Sequence, residues 1–410
     1  MRHSKSTYKF LNLSAFIPLR DTDFRILTIA TSLSSFATVG ETVVLGWLVL
    51  GLTDSPLIVG VVLGIRSLPN ALFGILAGAL ADSADRRLLI RRINLLSVFP
   101  VAALGVLTLV ESVQVWQIAV LAFIGGTLRA FESTANTSYA YDLVGSSRAV
   151  QGLAMNSMAS RLGGVVGSIS LGVIMARIGA YASFFLISCT HLLTTIVMLL
   201  PKSRGYTTAR RATATGALNE FLREMLQNRG LLALMVGTGL IEVFGFSHIA
   251  LMPSIARDVL KVGADGLGVM TGVGRFGGLV GIFVLSTLVR TQNRGSVYLG
   301  AIFFFGILIV LLGRVPSFPM ALGLLAVINA MMSVTDVLSQ SLIQLSVPNE
   351  LRGRAVGSWT LAVGSGPVGT MQIGALASFA GAAVALAANG MLLVAVAGIM
   401  LVIAPSIRRI

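Results

Sequence analysis

The chain holds one cysteine, Cys189, and three histidines, His3, His191 and His248. A single thiol leaves no disulfide and no multi-cysteine metal site within one chain. The histidines are scattered and lack metal-ligand spacing. No glycine-rich loop leads into Lys-Ser or Lys-Thr, so an ATP-driven pump is not expected. No metal or other cofactor is expected, and a membrane-embedded enzyme ranks below a transporter. Charge is scarce, at 11% of residues, against about 25% in ordinary soluble domains. That is too little polar surface to coat a soluble body of 410 residues. Lipid is then the main solvent of the outer face. The first twenty residues lack a signal-like apolar core and a small-residue cleavage site, so no cleavable signal peptide is expected. The stretch 8–17 reads as a short amphipathic segment on the membrane surface.

What the chain has is apolar length. Hydrophobic residues make up 55%, and mean hydropathy is +0.89. In lipid every backbone N–H and C=O needs an internal partner, which leaves helices or a closed barrel. A barrel would show short segments of alternating hydrophobicity; long continuous runs stand here instead. A span needs roughly 20 apolar residues. Twelve runs qualify, at about 23–50, 56–81, 88–110, 115–141, 150–176, 180–201, 229–256, 264–289, 296–314, 318–346, 354–380 and 382–404. The fold class is therefore an all-α membrane protein with twelve transmembrane helices. The one long polar interruption divides them six and six. The expected organisation is an N-terminal segment (1–22), a six-helix bundle (23–201), a central loop (202–228), a second bundle (229–404) and a tail (405–410). The part 217–227 can form an interfacial helix.

Lys and Arg in short loops set orientation. With both termini cytoplasmic, 22 of the 30 basic residues lie inside, 4 outside and 4 within spans. The net charge of +14 then reflects insertion and contact with anionic membrane lipids, and no nucleic acid is expected as a partner. The halves also echo each other. Gly60-Val-Val-Leu-Gly64-Ile-Arg66 in span 2 matches Gly268-Val-Met-Thr-Gly272-Val-Gly-Arg275 in span 8. Arg148-Ala-Val before span 5 matches Arg354-Ala-Val before span 11. Matching order and spacing indicate a 6+6 duplication, a parallel repeat found in some transporters.

Between spans 2 and 3 the chain reads Gly78-Ala-Leu-Ala-Asp82-Ser-Ala-Asp85-Arg86-Arg87. Gly78 permits close helix packing. Asp82 ends a helix, where the dipole disfavours a carboxylate, so it needs a partner such as Arg86 or Arg87. This loop resembles the signature of the major facilitator superfamily, with Ser83 in place of the usual arginine and Asp85 in place of the usual glycine. The ending aspartate-arginine-arginine resembles the branch of enterobactin-exporter-like and macrolide-efflux-like drug:proton antiporters. So does Val347-Pro348-Asn349-Glu350-Leu351-Arg352-Gly353-Arg354 between spans 10 and 11. The resemblance implies two pseudo-symmetric six-helix bundles that rock about a midplane site in a bacterial inner membrane. It further implies proton-coupled efflux of a small drug-like or siderophore-like molecule, by a protein expected to be a monomer. Uptake or lysolipid flipping by the same fold are alternatives.

Eight ionisable residues lie inside spans: Glu41, Arg66, Arg129, Glu132, Arg161, Glu242, Arg275 and Asp336. A charge at the bilayer centre costs about 2.5–3.5 kcal/mol on insertion scales, so partners or a watery cavity are expected. Spacing of three and four groups Gly125, Arg129, Glu132, Asn136 and Tyr139 on one face of span 4. Asn329, Ser333, Asp336, Gln340 and Gln344 share a face of span 10. Thr31, Ser34, Thr38 and Glu41 do so on span 1, and Thr238, Glu242, Gly245 and His248 on span 7. In the resembled fold, helices 1, 4, 7 and 10 line the cavity, while 3, 9 and 12 face lipid. The resemblance thus implies a polar lining that includes Thr38, Asn136, Tyr139, His248, Asn329 and Gln340. Arg129 and Glu132 can pair within span 4. Glu41 has no basic residue within a turn and is the first candidate proton carrier, followed by Glu242 and Asp336. Arg66, Arg161 and Arg275 can act as counter-ions. The small residues Gly163, Gly164 and Gly167 in span 5, and Gly364, Gly366 and Gly369 around Pro367 in span 11, allow close packing or movement. Both signs line the expected cavity, so the sequence does not choose between cationic and anionic cargo.

Overall fold

The computed structural model describes residues 18–203, 205, 228–288, 293–347, 359 and 362–403. The expected interfacial helix at 217–227, the loop at 348–354, the amphipathic stretch at 8–17 and the tail lie outside them. Among the described residues the regular structure is helical: α1 Thr22–Thr53, α2 Pro56–Ser83, α3 Arg86–Leu109, α4 Val115–Val144, α5 Ala149–Arg177, α6 Ala180–Val197, α7 Arg229–Phe244, α8 Ala264–Leu288, α9 Arg294–Leu312, α10 Phe318–Leu345, α11 Gly366–Ala380 and α12 Ala382–Ile403. Among the described residues eleven helices are long and apolar enough to cross a membrane. The twelfth expected span is α11, described over its last fifteen residues.

Local chemistry sets the helix ends. Asp21 caps α1 by accepting from the Phe24 amide at 3.0 Å. Ser55 caps α2 ahead of Pro56, whose missing N–H costs nothing at a first turn. Asn228 caps α7 by accepting from the amides of Gly230 and Leu231. Only Gly381 separates α11 from α12, at φ +84°, a conformation open to glycine.

Span 7 departs from the expected single helix. After Gly245 it tightens into a 3₁₀ stretch, Phe246–Leu251, and ends in a π turn, Ile255–Val259. Pro367 also behaves differently from a mid-helix kink: it sits in the first turn of α11.

The first six helices pack on each other through α1 with α5, α2 with α4 and α3 with α6; the later helices pack through α8 with α10 and α9 with α12. The most extensive contacts between the halves are α5 with α8 and α2 with α11, and α1 and α2 also meet the later part of span 7. The two most extensive are closest at the end away from the α2–α3 turn. There a Cβ on Gly60 would stand 2.2 Å from the Thr370 carbonyl oxygen, and one on Gly268 would stand 3.0 Å from the Gly172 Cα. The α2–α3 end is called the loop end below, and the opposite one the far end. Large apolar side chains stay exposed on α3 (Leu96, Phe99), α9 (Phe304) and α12 (Met391, Val402). These are the helices expected to face lipid. The expected tight packing of span 5 is seen at Gly163 against Ser32 and Gly167 against Phe36, both on α1.

Candidate functional site

Among the described residues a cavity of about 460 Å³ lies on the loop-end side of the far-end contacts. Its walls are the loop-end parts of α1 (Thr31, Ser34, Thr38), α4 (Arg129, Glu132, Asn136) and α5 (Asn156, Ser160), with Gln340 of α10. Deeper between the halves lies a second space of about 120 Å³, lined among others by Thr42, Arg161, His248, Arg275 and Asn329. Of the expected polar lining, Thr38, Asn136, Gln340, His248 and Asn329 therefore face one of these spaces. Tyr139 does not. It is fully buried and donates to the Ser203 carbonyl at 2.7 Å. It shares the face of Asn136 but lies a turn nearer the loop end, where the central segment covers it.

The internal charges pair in ways that spacing along one helix does not reveal. Glu41 on α1 accepts from Arg66 on α2 at 2.8 Å, with both side chains about 5% exposed. Arg66 also donates to Thr42 Oγ1 and to the Thr38 carbonyl, each at 3.0 Å. Arg129 and Glu132 do not pair. Glu132 accepts from Asn94 Nδ2 on α3 at 3.0 Å, and Asn94 Oδ1 meets His191 Nδ1 on α6 at 2.9 Å. The amide thus occupies the carboxylate, and Arg129 turns its exposed side chain to the cavity. Asn136, Thr31 and Asn156 close a further network across α4, α1 and α5.

In the second half, Glu242 and Asp336 line a small space of about 10 Å³ with Thr238 and Ser339. Glu242 is buried. Neither carboxylate has an ion pair among the described residues. His248 does not share the Glu242 face, because the backbone leaves the α-helix at Gly245. Its Nδ1 lies 2.6 Å from the Gly245 carbonyl.

The loop motif is a bonded cluster. Arg86 is buried and joins Asp82 at 3.2 Å, the Ala81 carbonyl at 2.8 Å and Asp142 at the end of α4. Arg87 donates to the Pro201 carbonyl. Asp85, standing where the signature has glycine, caps α3 by accepting from the amides of Arg87 and Leu88. Gly78 differs from expectation: a Cβ there would meet nothing within 4 Å, so no close packing requires it in this conformation. Sequence reasoning missed Asn94, Asn156 and Asp142, which are single polar residues with no periodic partner. It also missed the far-end bond from Arg257 to Asp54 at 2.7 Å.

Comparison with known proteins fits this geometry. A family model described as a transmembrane secretion effector matches residues 13–407. The multidrug efflux pump Tap of Mycolicibacterium fortuitum is 27% identical over 372 residues, covering 87% of this chain and 90% of that protein. The staphyloferrin A transporter of Staphylococcus aureus is 25% identical over 269 residues, covering 64% and 66%. The crystal structure of a peptide transporter, POT, superposes with a TM-score of 0.78 at 13% identity, covering 94% of this chain and 95% of that one. With a helical membrane fold, two packed halves and a family match over nearly the whole length, the chain belongs to the transmembrane secretion effector family of major facilitator transporters.

Proposed function

We propose that this transporter exports a small organic molecule against proton entry, by rocking its two halves about the central cavity. The observation that carries the reading is the inequality of the two ends. Among the described residues the far end is held by α2 on α11 and α5 on α8, while a cavity of about 460 Å³ lies among the loop-end parts of α1, α4, α5 and α10. Such a form is one station of an alternating-access cycle. The bias of Lys and Arg supports a cytoplasmic loop end and cytoplasmic termini, and in a bacterial inner membrane so oriented cargo would enter from inside. Similarity to an efflux pump supports the outward direction.

For the proton we assign Glu242, with Asp336 beside it, ahead of Glu41. Glu41 is engaged by Arg66, and breaking a buried pair leaves an uncompensated charge. Glu242 is buried without a cation among the described residues and shares its space with a second carboxyl. A carboxyl so placed is costly as an anion and is relieved by taking a proton. The test uses purified chain in liposomes under an imposed pH gradient, with a panel of drugs and chelators. Wild type is expected to accumulate at least one compound against its gradient. Glu242→Gln should lose that accumulation and keep gradient-free exchange. Movement only in the opposite direction would make the chain an importer; no response to the gradient for any compound overturns the coupling.

A further inference from the structure

Four arginines gather where the halves meet: Arg66 on α2, Arg129 on α4, Arg161 on α5 and Arg275 on α8. Arg66 is closed by Glu41. Arg161 donates to a neutral group, Ser333 Oγ, at 3.1 Å. Arg129 and Arg275 make no ion pair or hydrogen bond among the described residues. Two of these side chains cross between the halves in opposite senses. Arg275 reaches α5, where its Nη1 would lie 3.4 Å from a Cβ on Gly164; Arg161 reaches α8, 2.8 Å from a Cβ on Gly278. Arg129, Arg161 and Arg66 each act on Arg275 with a charge of its own sign. Acids do act on the others, Glu41 and Glu132 on Arg129 and Asp336 on Arg161, yet none lies within 4 Å of Arg129, Arg161 or Arg275.

Unpaired cations at this depth are expensive unless water or a ligand compensates them. A guanidinium offers a planar fork that matches a carboxylate or another oxyanion. We propose that the cargo is an organic anion, whose carboxylate or similar oxyanion is held by the guanidinium groups of Arg129 of the first half, on the larger cavity, and Arg275 of the second, on the deeper space between the halves. An anion so held touches both halves, and its binding is felt by the element that moves. The inference rests on the transporter reading and narrows it to a class of cargo.

Binding separates the two ideas, because it needs no gradient and no proton coupling. The purified full chain in lipid nanodiscs is titrated with citrate, salicylate and carboxyfluorescein, and with tetraphenylphosphonium and ethidium as cations. Thermal stabilisation and equilibrium dialysis are the readouts. At least one anion should bind. Arg275→Gln and Arg129→Gln should each weaken it about tenfold or more, and Arg275→Lys should fall between, since it keeps the charge and loses the fork. Binding of cations alone, binding of neither class, or anion binding unchanged in the double Gln variant overturns the proposal. If the Gln variants do not fold, unchanged anion affinity in Arg275→Lys overturns it as well.

Discussion

In the first half, Arg66 on α2 meets Glu41 on α1 at 2.8 Å, out of reach of water. In the second half, Arg275 stands on α8 one residue past the place that matches Arg66, 209 positions later where the starts of α2 and α8 differ by 208, and α7 brings it no acid. His248 lies 207 positions after Glu41, the interval that also separates the starts of α1 at Thr22 and α7 at Arg229. It lines the same space as Arg275, and its imidazole brings no carboxylate to that guanidinium. One half therefore spends its buried arginine on tying α1 to α2. The other leaves Arg275 facing the space between the halves. An acid faces the buried arginine of the first half, while the second half carries an imidazole beside the space that Arg275 lines.

The largest effect that tests this contrast is on folding. Glu41→Gln would leave Arg66 buried and uncompensated, a loss of about 3–5 kcal/mol. Arg275→Gln removes a charge that no acid balances, so stability should change by no more than about 0.5 kcal/mol or rise. Unfolding in detergent measures both. The double variant Glu41→Gln with Arg66→Gln should recover much of the first loss. A double variant no more stable than either single would show that the pair is not what holds α1 to α2.

The fold was legible because its causes are one-dimensional. Apolar run length gives the spans, loop charge gives their expected sense, and the matched intervals give the two halves. The polar stripes on α1, α4 and α10 were legible too, since 3.6-residue periodicity fixes a face. What the chain hides is depth and the neighbour across the groove. Tyr139 has the right face and the wrong depth. Glu132 has Arg129 three residues away, yet the Asn94 amide on α3 reaches it first. Glu41 seems alone along α1 because its partner rises from α2. His248 shares a stripe with Glu242 only while the helix continues, and it ends at Gly245. Each miss comes from reading one helix at a time.

A second test, of intermediate size, converts one half into the other. His248→Glu puts an acid on the space that Arg275 lines and should close it as Glu41 closes Arg66. Binding of an organic anion should then fall about tenfold or more, equivalent to roughly 1.4 kcal/mol, while the fold keeps its stability. The anion titration in nanodiscs reads this directly. Unchanged anion affinity in a folded His248→Glu chain would mean that the two positions are not equivalent, and the comparison of the halves would fail at its central residue.

The smallest expected effect concerns a pair that belongs to neither half alone. Arg257, in the π turn that ends span 7, reaches Asp54 at 2.7 Å and the Leu50 carbonyl at 3.2 Å. Asp54 is 81% exposed, and exposed pairs of this kind contribute about 0.2–1 kcal/mol. Unlike Glu41 with Arg66, this pair spans the two halves at the closed far end. Its loss should therefore leave the fold unharmed and tilt the balance between conformations, by at most about fivefold. Asp54→Asn tests this in a chain with Cys189 replaced by serine and a cysteine placed at Thr271, which faces the inner space. A membrane-impermeant thiol reagent added at the far end should label that cysteine up to about fivefold faster than in the parent. A lower rate, or no change, would show that the glycine contacts of α2 with α11 and α5 with α8 close the far end without help from charge.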